Sequence, residues 1–193
     1  MASSDIDHIL TFWFDGPGHG KHYWAGGPEG QKQLDDLINQ QFGTLVGQAA
    51  QGSLTAEWSQ TASGSLALII LLDQWSRNIY RNTPKAFEQD PLAQQICLAG
   101  MAKNQHMEIS DNPTDPTGSS RRQMFLIPLF HSEKIDLLEK GLQLINEGIV
   151  QYHWGIEGYT YTRVQDMKTF GRIPSRNKAR GLESTPEEKA AGY

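Results

Sequence analysis

Cysteine is nearly absent from this chain. Cys97 stands alone among 193 residues, so no internal disulfide can form, and its place in a helical-looking segment suits a small buried apolar side chain. Long hydrophobic runs are missing as well: none approaches the roughly 18 residues that suggest a membrane span. The opening MASSDIDHIL carries acids where a signal peptide carries basic residues. The expected location is therefore cytoplasmic, with no membrane partner. Positive charge is in short supply, since 17 lysines and arginines face 22 acids for a net charge of −5. That balance argues against a general nucleic-acid binder, whose field must attract phosphate. Sustained apolar/polar alternation with β-branched residues is also lacking, which leaves little room for strands.

Several chemical motifs are absent on inspection. GPGHGKH has its glycines too close together for a phosphate loop, and His22 follows Lys21 where a magnesium-binding Ser or Thr is needed. His131-Ser132-Glu133 lacks the PCxxC that would make it a zinc deaminase signature. No GxSxG marks a serine hydrolase. His8, His19 and His22 span a glycine-rich loop with no fixed ligand spacing. No metal and no cofactor is expected.

What the chain does have is helical periodicity. Ile6, Ile9, Leu10, Trp13 and Phe14 recur at helical spacing after the candidate caps Ser4 and Asp5. A second stripe, Leu34, Leu37, Ile38, Phe42, Leu45 and Val46, runs up to Gln51-Gly52. From Ser65 the stretch SLALIILLDQWSRNIYRN keeps three-and-four spacing through Leu68, Leu71, Leu72, Trp75 and Ile79, and Ala67 to Leu72 is apolar on every side. This marks a central, surrounded helix. Asp90 and Pro91 read as the cap and first residue of a helix reaching about His106, and ISDNPTDPTGSSRR is the longest loop and the best hinge. Pro128 reads as the end of a segment, before a long helix along Ile135, Leu138, Leu142, Ile145 and Ile149. Tyr152 to Thr169 supplies another helix, and Thr185-Pro186-Glu187-Glu188 starts a short terminal one with a capping box. The expected class is all-α, as one domain over residues 1–193.

Polar chemistry concentrates in three places. Along the central helix Asp73 and Arg77, Gln74 and Asn78, and Arg77 and Arg81 are four apart and predict one polar surface. In PLFHSEKIDLLEK, Ser132 is a candidate cap, with Glu133 and Asp136 as acids favoured by the helix dipole. His131 has no such explanation, and it titrates near neutrality beside Glu133. In FGRIPSRNKARG, Arg172 and Arg176 flank Pro174, and their planar forks suit bidentate capture of a carboxylate or phosphate. They are expected to hold an anionic ligand or to close onto Asp73 and Glu133. If all meet, Arg77, Arg81, Arg172 and Arg176 outnumber the two acids.

Taken in order, FWF (12–14), LALIILLDQWSRNIYRN (66–82), AFEQDPLA (86–93), PLFHSE (128–133), FGRIPSRN (170–177) and ESTPEE (183–188) resemble a widespread family with no assigned activity, domain of unknown function 924. The resemblance covers nearly the whole chain. It implies a tetratricopeptide-like superhelical array of antiparallel helices around one central apolar helix. It also implies a pocket involving Asp73, Gln74, Arg77, Asn78, His131, Glu133, Arg172, Arg176 and Asn177. This chain departs from the family pattern where Arg163 and Ser175 stand in place of expected histidines, a change that shifts the balance toward anion binding.

Three functions stay open on these residues. In the first, Gln74, Arg77, Asn78, Arg81, Arg172, Arg176 and Asn177 bind a small anion or the carboxylate of a peptide. In the second, His131, Glu133 and Asp73 perform acid-base catalysis while the arginines stabilise negative charge. In the third, the polar motifs lock together a protein-interaction scaffold. Excess arginine favours the first.

Overall fold

The structure is a computed structural model that describes residues 2–16, 27–109, 121–150 and 155–193. Of the proposed hinge, residues 109–122, positions 110–120 lie outside them, as do His19 and His22. All regular structure among the described residues is helical. In chain order the helices are α1 (Ala2–Phe14), α2 (Gly27–Ala50), α3 (Thr55–Trp58) and α4 (Ala62–Ile69). A π-helical segment, Ile70–Trp75, runs on into α5 (Ser76–Ile79). Then come α6 (Asp90–Ala102), α7 (Gln105–Glu108), α8 (Arg121–Phe130), α9 (Ile135–Asn146), α10 (Ile156–Phe170) and α11 (Pro186–Ala190). No described helix is long and apolar enough to cross a membrane.

The apolar run after Ser65 is the centre of the molecule. Leu66 through Leu72 are all fully buried, with α1, α6 and α8 packed around α4 and with α2 against the π segment and α5. Thr61 starts α4, its Oγ1 accepting from Gly64 N at 3.1 Å. Only glycine fits at 64, because a Cβ there would sit 2.1 Å from the Trp58 carbonyl oxygen. Trp75 closes the run: it stacks on Phe42 at 4.2 Å and meets the edge of Phe12 at 5.8 Å. These rings fasten the π segment to α1 and α2, with aromatic geometry adding to the area they bury.

Three boundaries differ from the sequence expectations, and each difference matters for the polar residues. Pro128 lies inside α8 instead of ending it. The helix after it starts at Ile135 with Lys134 as N-cap, so Ser132 does not cap it; its Oγ instead accepts from Lys134 N at 3.0 Å. Asp90 is the first residue of α6, while Gln89 holds the cap position. Gly171, at φ +68°, ends α10 in a left-handed turn and redirects the chain into the 3-10 turns Pro174–Arg176 and Lys178–Arg180. At the C-terminus the expected capping box forms between Thr185 and Glu188.

Candidate functional site

A π register carries one more residue per hydrogen-bonded turn than an α-helix, and such segments appear mostly where a side chain must be re-aimed. Here the segment contains Asp73, which is fully buried. Burial alone would drive its carboxyl toward the neutral form. Arg77 first, then His131 and Gln74, reverse that and hold its pKa well below the usual carboxylate range. Gln74 Nε2 donates to Asp73 Oδ2 at 2.5 Å, and His131 Nδ1 lies 2.7 Å from the same oxygen. Arg77 Nη1 donates to the Asp73 backbone carbonyl at 2.6 Å and stands 3.3 Å from Oδ1.

Arg77 also reaches forward, its Nη2 lying 2.9 Å from Asp90. Asp90 was expected only as a helix cap, yet it stands between two arginines, with Arg176 Nη1 at 3.5 Å. Burial raises its pKa to about 6, helped by the charge of Asp73 and opposed by Arg77 and Arg176. It is therefore mostly ionised at neutral pH. Arg176 Nη1 donates to Glu133 Oε1 at 2.8 Å, and its Nη2 donates to the His131 carbonyl at 2.8 Å. Arg180 takes the rest of Glu133, at 2.9 Å to Oε2 and 2.8 Å to Oε1. Glu133 serves both arginines from the turn that precedes α9. The ring of Phe87 lies beside all three arginines, with Arg77, Arg176 and Arg180 at 5.5, 4.8 and 5.3 Å from its centroid.

His131 is largely buried, and burial lowers its pKa to about 4 against the pull of Asp73. At neutral pH its contact with Asp73 is thus a hydrogen bond from a neutral imidazole and not an ion pair. Its ring meets Tyr159 edge-on at 6.0 Å, and Arg163 lies over the same tyrosine at 4.1 Å. Arg163 differs from the other arginines of this cluster. Its Nε and Nη1 are buried without a hydrogen-bond partner. Burial lowers its pKa, and the positive charges of Arg176 and Arg77 act in the same direction against Tyr159. Four guanidinium groups, Arg77, Arg163, Arg176 and Arg180, share the cluster with three carboxylates, Asp73, Asp90 and Glu133. One positive charge is left over.

The single polar surface expected along 73–81 divides in two. Asp73, Gln74 and Arg77 enter the cluster, whereas Asn78 and Arg81 bind Asp35 of α2. Asn78 Nδ2 donates to Asp35 Oδ1 at 2.7 Å, and Arg81 forms a fork with Nε at 2.6 Å to Oδ2 and Nη2 at 2.9 Å to Oδ1. Arg172 and Asn177 are likewise drawn elsewhere. The buried Glu188 accepts Arg172 Nε at 2.6 Å, Arg172 Nη2 at 2.7 Å and Asn177 Nδ2 at 2.9 Å. Arg172 therefore closes onto Glu188 and not onto Asp73 or Glu133. Ser175 is exposed. Of the expected residues, the structure brings together Asp73, Gln74, Arg77, His131, Glu133 and Arg176. It adds Phe87, Asp90, Tyr159, Arg163 and Arg180. Arg180 carried a visible signal, being four residues after Arg176; Tyr159 and Arg163, also four apart on α10, carried a similar one.

A family model described as bacterial protein of unknown function (DUF924) matches residues 9–191. The chain belongs to this family. The DUF924 chain also resembles a solved protein of unknown function from Agrobacterium tumefaciens, at 25% identity and a TM-score of 0.77, covering 99% of this chain and 98% of that one. Among curated proteins, none matches it. Membership in the DUF924 family agrees with the all-helical fold and assigns no reaction.

Proposed function

We propose that this protein binds a small anionic ligand at the cluster around Asp73, with Arg163 as its principal contact. In this reading the helices form the tetratricopeptide-like array that frames the site. The observation that carries it is the pair of buried donors on Arg163, Nε and Nη1, that have no hydrogen-bond partner, because buried donors are costly unless something accepts from them. Arg77, Arg176 and Arg180 have their donors engaged by protein carboxylates and carbonyls, so they set the field while Arg163 makes the contact. Thermal unfolding in the presence of a carboxylate panel and inorganic phosphate tests this. At least one anion raises the midpoint of the native chain, and Arg163→Gln abolishes the rise. Arg121→Gln, which removes a charge paired with Asp15 outside the cluster, keeps it. No rise with any anion, or an equal rise in Arg163→Gln, overturns the reading.

A second reading, acid-base catalysis, is favoured by one specific contact: the 2.7 Å hydrogen bond between Asp73 Oδ2 and His131 Nδ1. A buried carboxylate orienting a neutral imidazole leaves the other ring nitrogen as a base. Once a substrate is in hand, turnover unharmed by His131→Ala would remove this reading.

A further inference from the structure

The His131–Asp73 contact also says what kind of anion the site prefers. Asp73 is ionised, so its oxygens only accept; the proton on their shared hydrogen bond must belong to His131 Nδ1. In a neutral imidazole the other nitrogen, Nε2, then carries a lone pair and no hydrogen. The tautomer is held firmly, since Asp73 is itself fixed by Gln74 and Arg77. No hydrogen bond to His131 Nε2 forms among the described residues. A cluster dominated by guanidinium donors therefore contains one oriented acceptor without a partner.

The donor side and this acceptor share a floor. The Tyr159 ring lies 4.1 Å below the Arg163 guanidinium and 6.0 Å from the His131 ring, and the residue is 37% exposed. Arg163 and His131 thus border the same ring, one over its face and the other edge-on. The charge balance of the cluster is one positive, which a monoanion neutralises and a dianion overfills. A bare anion gives the Nε2 lone pair nothing to accept and brings negative charge toward it.

We propose that the ligand is a small monocarboxylate bearing a hydroxyl or amide N–H a few atoms from the carboxylate, which binds Arg163 while that second group donates to His131 Nε2. This rests on the anion-binding reading of the site. An unmatched lone pair in a site of this kind discriminates against an analogue that lacks the hydrogen, because the bound analogue displaces water from Nε2 without replacing its hydrogen bond.

The test compares butanoate with 2-, 3- and 4-hydroxybutanoate, alongside inorganic phosphate and sulfate, by calorimetric titration of the full chain. The expected result is that one hydroxybutanoate binds at least about tenfold more tightly than butanoate, the effect of roughly one buried hydrogen bond. In His131→Phe that ratio falls to near one. Nitrogen NMR of the histidine-labelled native chain gives a second readout that does not depend on the variant folding. The His131 Nε2 resonance shifts with the preferred hydroxy acid and not with butanoate. Equal binding of butanoate and all three hydroxy acids overturns the proposal while leaving anion binding intact. So does discrimination that survives His131→Phe, or tighter binding of sulfate or phosphate than of every acid. Failure of all six ions to bind removes the anion-binding reading, and this proposal with it.

Discussion

Glu188 and Asp73 each show about 1% of their side chain to solvent, and each is gripped by an arginine. Around Glu188 the pairing is closed. Arg172, Asn177 and the Thr185 amide all donate to it, and it completes the capping box of the helix it belongs to. Around Asp73 the pairing is open. The chain of contacts runs through His131, Arg77, Asp90, Arg176 and Glu133 to Arg180, yet it leaves Arg163 donors unpartnered and one charge unbalanced. Burial of charge does not by itself separate architecture from function, since both regions have it. Completeness of the hydrogen bonding does.

The most severe change expected is Asp73→Ala, which takes one of two carboxylates from Arg77 and removes the acceptor of Gln74 and His131. Breaking a buried pair in this way costs about 3–5 kcal/mol, read by denaturant unfolding. The open cluster should next reveal itself through pH. His131 has a folded pKa of about 4, below its ordinary 6.5, so its contribution is present above pH 6.5 and is lost as pH falls toward 4. Asp90 runs the other way. Its folded pKa of about 6 lies above the ordinary 3.8, so its contribution to stability grows as pH falls through 6. The two offset one another in the native chain. Across pH 4 to 6.5, Asp90→Asn should lose stability on acidification more steeply than the native protein, and His131→Gln should gain stability. Each difference is roughly 1–3 kcal/mol. Parallel pH profiles for all three proteins would show that the groups do not titrate in this window.

At the closed region, Glu188→Gln should lower the unfolding midpoint and leave the anion-induced rise in place. Loss of that rise would mean that the two regions act as one. The smallest effect belongs to Arg163→Gln. Relief of the two partnerless donors is offset by loss of the stacking on Tyr159, so stability should change by no more than about 1 kcal/mol. The same substitution abolishes ligand stabilisation. A loss of several kcal/mol would show that Arg163 holds the fold.

Much of the fold was legible because helices announce themselves through periodicity and caps. The central apolar helix, the capping box at Thr185 and the all-helical class follow from local pattern alone. The cluster was half legible. Asp73, His131, Glu133 and Arg176 stood out as polar residues without a sufficient local role. Asp90 did not, because an acid before a proline at a helix start already has an adequate explanation. Arg172 and Arg81 were placed with the cluster because sequence shows that an arginine needs a partner and not which one. Asp35 and Glu188 lie 46 and 16 residues from the arginines they hold. The π register was invisible for another reason: no residue type demands it, and it follows from how Trp75 packs against α1 and α2 while Asp73 turns inward.

That register has a consequence for length. The extra residue within Ile70–Trp75 is absorbed by the wider π turn, so a single deletion there would restore an ordinary helix with the later side chains still in phase. Winding all the residues of the segment as an ordinary helix would instead rotate every later side chain by about 100°. Arg77 would then swing away from Asp90, and Arg81 from Asp35. The polar contacts beyond the most uniform stretch of the chain thus depend on the π turn taking up its extra residue.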